Sequence, residues 1–178
     1  TGPGMALIDE CCQYFYEEQI DRDGDHAKQG QVNEEILTEL MTIDFIQKKP
    51  PKSTGRHIFG KKLVNNIISK YSQVSPDNLI RTFCAFTAQS VGESLNKFLN
   101  YNASDIRLII SGGGIHHSVL MEDIRNYTGI LNFKISDEYG IPSEMKESLL
   151  MAVLGAARIQ KIPANICSVT GAGEMVVL

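Results

Sequence analysis

The chain has 178 residues, a length that suits one domain, with 17 Lys+Arg against 21 Asp+Glu for a net charge of −4. Hydrophobic residues at 43 % exclude a disordered chain, and the acidic balance excludes a basic nucleic-acid binder. Trp is absent, which excludes a carbohydrate platform built on Trp stacking.

Thr1–Gly2–Pro3–Gly4 reads as a turn, and residues 5–18 read as a helix whose Leu7, Ile8, Cys11, Cys12 and Phe15 follow 3–4 spacing. Residues 21–31 form a polar loop. Asn33 is placed to cap a second helix, with Glu34 and Glu35 in its first turn and Ile36, Leu37, Leu40 and Met41 as its buried stripe. Pro50–Pro51 stops any helix, and Lys52 to Arg56 reads as an exposed polar loop. Ser75–Pro76 then starts a long helix that runs to about Leu99 and buries Leu79, Phe83, Phe86, Val91 and Leu95.

Ile106 to Ile110 predicts a short buried strand. Ser111–Gly112–Gly113–Gly114 turns sharply into a helix over 118–126, and Phe133 to Ile135 predicts a second strand. A last long helix is expected from Pro142 to about Gln160, with Ala152, Gly155, Ala156 and Ala157 permitting close approach of another helix. Helices alternating with short strands argue for a layered α/β fold. No apolar run reaches the roughly 18 residues of a membrane span, so no membrane partner is expected. Cys11, Cys12, Cys84 and Cys167 show no C-x-x-C spacing and read as reduced, mostly buried thiols of a cytoplasmic protein.

Strand–Gly112–Gly113–Gly114–helix is the most informative local feature. Glycines at such a turn let a ligand approach the backbone, and the helix start favours an anion. This fits a generic nucleotide site or, more plainly, a tight structural turn. The dinucleotide fingerprint G-x-G-x-x-G fails, because His117 holds the third glycine position. Lys52–Ser53–Thr54 is no P-loop, since Pro50–Pro51 stand where glycine is required; Lys52 and Arg56 can still face phosphate or solvent. Asp21, Asp23 and Asp25 resemble a calcium loop but lack its glycine and its bidentate Glu, where His26 and Val32 stand, so a polar turn is expected. His116–His117 have no helically spaced Cys or His beside them, and no metal site is expected.

Several segments together resemble one family. Thr1–Gly–Pro–Gly4 with Leu7–Ile8–Asp9 is similar to a D-T-G-P-G-N-M-L-x-D segment, and Asp23–Gly24, Ala27 and Gly30 match the loop after it. Pro51–Lys–Ser–Thr–Gly–Arg56 resembles P-K-S-T-G-R-E, and Phe86–Thr–Ala88 matches a T-A pair in a long helix. Ser111–Gly–Gly–Gly–Ile–His–His117 resembles C-G-G-G-x-x-N with Leu120–Met121 after it, Glu147 and Leu149 fall on an E-A-L-A-F-A helix, and Ser168 to Ala172 matches S-V-T-G-A. The family is anhydro-N-acetylmuramic acid kinase, and the resemblance runs in order along nearly the whole chain.

The resemblance implies the sugar kinase, actin and heat-shock chaperone superfold, of which 1–178 would be a single C-terminal, ribonuclease-H-like kinase domain. Its helical part would cover about 5–100 and its nucleotide-binding α/β part about 101–178. It implies ATP and Mg²⁺ as cofactors, and a reaction in which water opens the 1,6-anhydro ring of the amino sugar while ATP phosphorylates O6. The product would be N-acetylmuramic acid 6-phosphate, in cell-wall sugar recycling. The G-T-S-x-D-G phosphate loop of an N-terminal domain would be the missing partner, and a homodimer is usual in the family.

No catalytic residue is expected within the chain, because the Asp that would activate water belongs just before Thr1. Thr1, Gly2 and Gly4 would line the phosphates. Gly112, Gly113, Gly114 and His117 would lie against the adenosine, and Glu147, Lys52 and Arg56 are candidates for the cleft. Met5, His57 and His117 depart from the family's Asn, Glu and Asn. The alternative is a non-catalytic nucleotide-binding or interaction protein derived from a decayed kinase half.

Overall fold

A computed structural model describes residues 1–99 and 101–177; Asn100, the expected end of the helical part, and Leu178 lie outside the described residues. Helix α1 spans Ala6–Tyr16 and buries Leu7, Ile8, Cys11 and Cys12, the stripe its 3–4 spacing predicts. A 3₁₀ turn, Arg22–Gly24, leads into the short α2, Asp25–Gln29. Helix α3 spans Glu34–Met41, and the Asn33 side chain caps it by accepting the Ile36 N–H at 3.0 Å, as expected. α4 is Asp44–Gln47 and α5 is Lys61–Lys70. Helix α5 lies in a stretch with no assigned element, because its buried stripe is only Val64 and Ile67 between lysines and asparagines.

Helix α6, Pro76–Phe98, is the axis of the molecule. The Ser75 hydroxyl accepts the Asn78 N–H at 3.3 Å and Pro76 occupies the first turn, the start read from sequence. α1, α2, α3 and the later α7 all pack on it. Leu79, Ile80, Phe83 and Phe86 are fully buried there, each contributing roughly 2 kcal/mol by removal from water. Phe59 bridges Phe45 and Phe86, with ring centroids 5.6 and 5.9 Å away.

The rest of the chain is a parallel β–α–β unit with an appendage. Strand β1, Leu108–Ile110, is followed by α7, Ser118–Thr128, and by β2, Phe133–Ile135. The strands pair in parallel, with Leu108 opposite Phe133 and Ile110 opposite Ile135. Arg81 of α6 grips the buried Asp123 of α7 through both terminal nitrogens, at 2.5 and 2.9 Å, and so ties this unit to the helical part. α8, Lys146–Ile159, and α9, Cys167–Thr170, complete the chain.

Two expectations about burial are corrected. Ile109, in the strand expected to be buried, is 54 % exposed. Leu108 and Phe133 pack one face of the sheet on Ala88, Leu120 and Ile124 of α6 and α7, and Ile109 points to the other face, unlike in larger parallel sheets, where both faces are usually covered. α8, expected to approach another helix closely, buries no residue at all; Leu150, Met151 and Val153 are each more than half exposed. No helix among the described residues is long and apolar enough to cross a membrane.

Candidate functional site

Gly2–Gly4 is pressed against α6. A Cβ on Gly2 would meet the Ser90 hydroxyl and, at 2.9 Å, the Ser90 Cβ, so only glycine lets the loop lie this close. Thr87 donates its hydroxyl hydrogen to the Gly4 carbonyl at 3.0 Å and fixes the loop's exit into α1. Thr1 is exposed at its start.

The glycine-rich motif leaves the C-terminal end of β1 and passes through a 3₁₀ turn, Gly113–His116, into α7. Gly112 has φ 91° and ψ 173°, a conformation open essentially to glycine alone. A Cβ at Gly112 or Gly113 would meet nothing within 4 Å, so both face open space. A Cβ at Gly114 would touch Met5, with Cγ at 3.4 Å and Sδ at 3.5 Å. The two glycine segments, remote in sequence, therefore meet through Met5. On the Gly113 side of this contact lies a cleft of about 400 Å³ lined by Met5, Asp9, Ile20, Asp21, Arg22, Asp23, Gly113, His116, His117 and Glu144; Gly2 lines a separate, smaller cavity with Pro3 and Phe59.

His117, expected against an adenosine, lines the cleft but with its ring almost wholly buried. The side chain is 2 % exposed and both ring nitrogens are in use. Nδ1 accepts the Leu120 N–H at 3.1 Å, capping α7, and Nε2 lies 3.1 Å from Asp21 Oδ2. Because a backbone donor points at Nδ1, the ring hydrogen sits on Nε2 and is donated to Asp21. His117 thus sits under the cleft as a helix cap, the local role for which Asn is equally suited.

Asp21, expected in a polar turn, is likewise buried. Besides His117 it accepts the N–H groups of His26 at 2.9 Å and Ala27 at 3.1 Å. Burial alone would raise its pKa, but these hydrogen bonds outweigh it and hold the carboxyl below the ordinary range.

Lys52, a candidate for the cleft, has local partners. Its ammonium donates to the carbonyls of Phe45 at 2.9 Å and Ile46 at 3.2 Å, at the end of α4, and lies 4.6 Å from the Phe45 ring centroid. It is not among the residues lining the cleft of about 400 Å³, and its charge acts on the Thr1 amino group, whose pKa burial and Lys52 together lower. Arg56 is exposed and pairs with Glu10 at 2.8 Å, beside the Gly2–Pro3 loop. Glu147 is exposed on the first turn of α8 and does not line the cleft; Glu144, just before it, does.

Asp9 is a site residue that the sequence alone does not single out. Its Oδ1 is buried with no hydrogen-bond partner, and burial pushes its pKa up to about 6 against the opposing pull of Arg56. The available signal was its place as the last residue of the D-T-G-P-G-N-M-L-x-D segment, four residues after Met5 on the same face of α1. Among the described residues no group of three or more His, Cys, Asp or Glu side chains is arranged to hold a metal ion. Cys11, Cys12 and Cys84 are buried free thiols, and Cys167 is partly exposed.

A family model described as anhydro-N-acetylmuramic acid kinase matches residues 1–178. The chain is 40 % identical over 181 residues to the anhydro-N-acetylmuramic acid kinase of Bacillus cereus (strain 03BB102), covering 100 % of this chain and 47 % of that relative. It is 35 % identical over 178 residues to the same-named protein of Clostridioides difficile (strain 630), covering 100 % of this chain and 46 % of that one. The chain spans about half the length of the curated relatives it matches.

Proposed function

This chain belongs to the anhydro-N-acetylmuramic acid kinase family, and from that premise we propose that it is the C-terminal half of a sugar kinase that acts on 1,6-anhydro-N-acetylmuramic acid. In this reading the β1–α7–β2 unit is part of a ribonuclease-H-like domain of the sugar kinase and actin superfold. The whole 178 residues form one such domain, and a preceding half supplies the opposing wall of the cleft. The observation that carries the reading is the approach of the glycine-rich turn to the chain just after Gly2–Gly4, through the Met5–Gly114 contact at the cleft that Met5 and Gly113 both line.

The chemistry assigns these residues a binding role. Gly112 and Gly113 leave room for an adenosine to lie against bare backbone. Thr1, Gly2 and Gly4 offer backbone donors to the phosphates, fixed in place by Thr87 and Ser90. His117 acts from behind, by holding the start of α7 beside the glycines. The carboxylate base belongs just before Thr1 and takes a proton from water. That water adds at the anomeric carbon and breaks the 1,6-anhydro bridge, while O6 attacks the γ-phosphorus and ADP leaves. The products are ADP and N-acetylmuramic acid 6-phosphate. Mg²⁺, if bound with the nucleotide, would offset phosphate charge; no cluster of carboxylates among the described residues is arranged to hold it. The same reading makes the protein cytoplasmic, as buried reduced thiols suit, and includes a homodimer.

The test is direct. The full-length protein incubated with ATP, Mg²⁺ and the anhydro sugar is expected to form the 6-phosphate, detected by mass spectrometry, with one water added. The present chain alone is expected to give no measurable turnover. A full-length protein that leaves the sugar unphosphorylated while hydrolysing or binding ATP would overturn the reading in favour of a nucleotide-binding protein.

A further inference from the structure

Two buried side-chain oxygens stand without a hydrogen-bond partner among the described residues, Asp9 Oδ1 and Thr54 Oγ1. An unpaired buried polar atom costs about 1–3 kcal/mol, and native structures rarely leave one unless a further group completes it. Both of these atoms sit beside Arg56. Asp9 and Arg56 share the wall of a cavity of about 230 Å³. Thr54 and Arg56 share a smaller one, about 160 Å³, closed by Gly2, Pro3 and Phe59. Asp9 also lines the main cleft, so the glycine-rich motif, Asp9, Arg56 and Thr54 follow one another along a single side of the domain.

We propose that Asp9, Thr54 and Arg56 form the subsite for the carboxylate-bearing side of the acceptor sugar. Arg56 and Thr54 take the carboxylate of the lactyl ether, and Asp9 accepts a hydrogen from a sugar hydroxyl or from the acetamido N–H. This rests on the kinase reading above. Glu10 engages only Nη1 of Arg56, at 2.8 Å, and the Arg56 side chain is 66 % exposed, so its remaining donors can meet a ligand.

The choice of a carboxylate over a nucleotide phosphate follows from charge and size. Asp9 and Glu10 flank Arg56 in the same cavity. Two carboxylates disfavour a multiply charged phosphate chain far more than a singly charged group on a hydroxyl-rich ligand, which also brings the donors that Asp9 lacks. The small cavity between Pro3 and Phe59 is mostly apolar and suits the methyl group of a lactyl ether.

The test uses the full-length protein and calorimetric titration with three probes: 1,6-anhydro-N-acetylmuramic acid, 1,6-anhydro-N-acetylglucosamine, which lacks the lactyl group, and ATP. Arg56→Gln is expected to weaken the muramic sugar about tenfold or more and to leave the glucosamine sugar and ATP unchanged. Thr54→Val is expected to act in the same direction, with a melting temperature equal to or above wild type because an unpartnered hydroxyl has been removed. Asp9→Asn is expected to weaken both sugars and spare ATP. Weakened ATP binding by Arg56→Gln would assign the cation to phosphate and overturn the proposal. Equal effects on the two sugars, or no effect on either, would overturn it as well. Wild-type protein that binds neither sugar overturns the kinase reading, and this assignment with it.

Discussion

His117 of the glycine-rich motif and Asp21 of the first loop form a buried pair, 96 positions apart in the chain, with Nε2 and Oδ2 3.1 Å apart. The pair couples the start of α7 to the start of α2, because His117 caps one and the Asp21 carboxylate takes two N–H groups of the other. His117→Ala removes a cap worth about 1 kcal/mol and a hydrogen bond to a buried charge worth roughly 1.5–3 kcal/mol. A loss of roughly 2–4 kcal/mol in urea unfolding is expected. His117→Asn keeps the cap and is expected to lose less than half of that, with nucleotide affinity equal or better. The Asp21 carboxyl is held below its ordinary pKa, so its stabilisation is present above about pH 3.9 and is lost as pH falls through the lower folded value. Removing the His117 donor raises that value, and acid unfolding of His117→Ala is expected to begin at higher pH than in wild type.

Asp9 behaves in the opposite sense. Its folded pKa is pushed up to about 6 by burial, so its protonated form is favoured in the native state. The native state then binds more protons than the unfolded state between about pH 4 and 6, and stability falls as pH rises through that window. Asp9→Asn removes the penalty. After allowance for partial solvent screening, the variant is expected to be about 1–2 kcal/mol more stable at pH 7, with the gain shrinking towards pH 4. Denaturant melts at pH 4, 5.5 and 7 check this; a gain independent of pH would show that the carboxylate charge is not its source. Met5→Asn tests the same atom from the other side. It places an amide one turn from Asp9, gives Oδ1 a donor and is expected to lower the Asp9 pKa, which NMR titration of the carboxyl can follow.

Gly112 and Gly113 are expected to separate folding from binding. Gly112 alone of the two holds a positive φ, 91°, so Gly112→Ala strains the backbone by about 1–3 kcal/mol and should lower the melting temperature by several degrees. Gly113 has an ordinary φ and open space where a Cβ would go. Gly113→Val should therefore leave the melting temperature within about 2 °C of wild type while reducing ATP affinity at least about tenfold, because the side chain occupies the space where the ligand lies. Calorimetry alongside thermal melts reads both quantities. Unchanged ATP affinity in Gly113→Val would make the turn structural.

What was legible in the sequence was local. Asn33 and Ser75–Pro76 announce the starts of α3 and α6 because capping depends only on the next three residues. Strand β2 and the strand–glycine–helix order were readable for the same reason. α2 and α4 were not, since helices of five and four residues have no room for a periodic stripe. The burial of Asp21 needs His117 from the far part of the chain, and the unpaired oxygens of Asp9 and Thr54 are visible only once the loops meet. The two carbonyls that Lys52 meets at the end of α4 could not be foreseen, because they belong to a helix too short to show in the sequence.

α8 carries the last prediction. Its side chains Leu149, Leu150, Met151 and Val153 are 44–60 % exposed, and the Ile159, Ile162, Ile166 and Val169 that follow are also exposed. Ile109, on the uncovered face of the two-stranded sheet, is exposed as well. Scattered apolar residues are ordinary on a protein surface, but a run of this length exceeds what a monomer usually leaves uncovered. The chain spans about half the length of its relatives, and on the proposed reading, in which a preceding half completes the kinase, that half is expected to cover this surface. The 178-residue chain purified alone should therefore self-associate, giving concentration-dependent light scattering and binding of a dye specific for apolar surface. Leu149 and Val153 lie four residues apart on one face of α8. Replacing both with Lys should reduce that association in the isolated chain, and in the full-length protein the same change should cost stability, because it places two charges in a buried contact. A monodisperse wild-type chain at high concentration, or full-length protein indifferent to the double change, would mean that α8 faces solvent in the whole molecule as well.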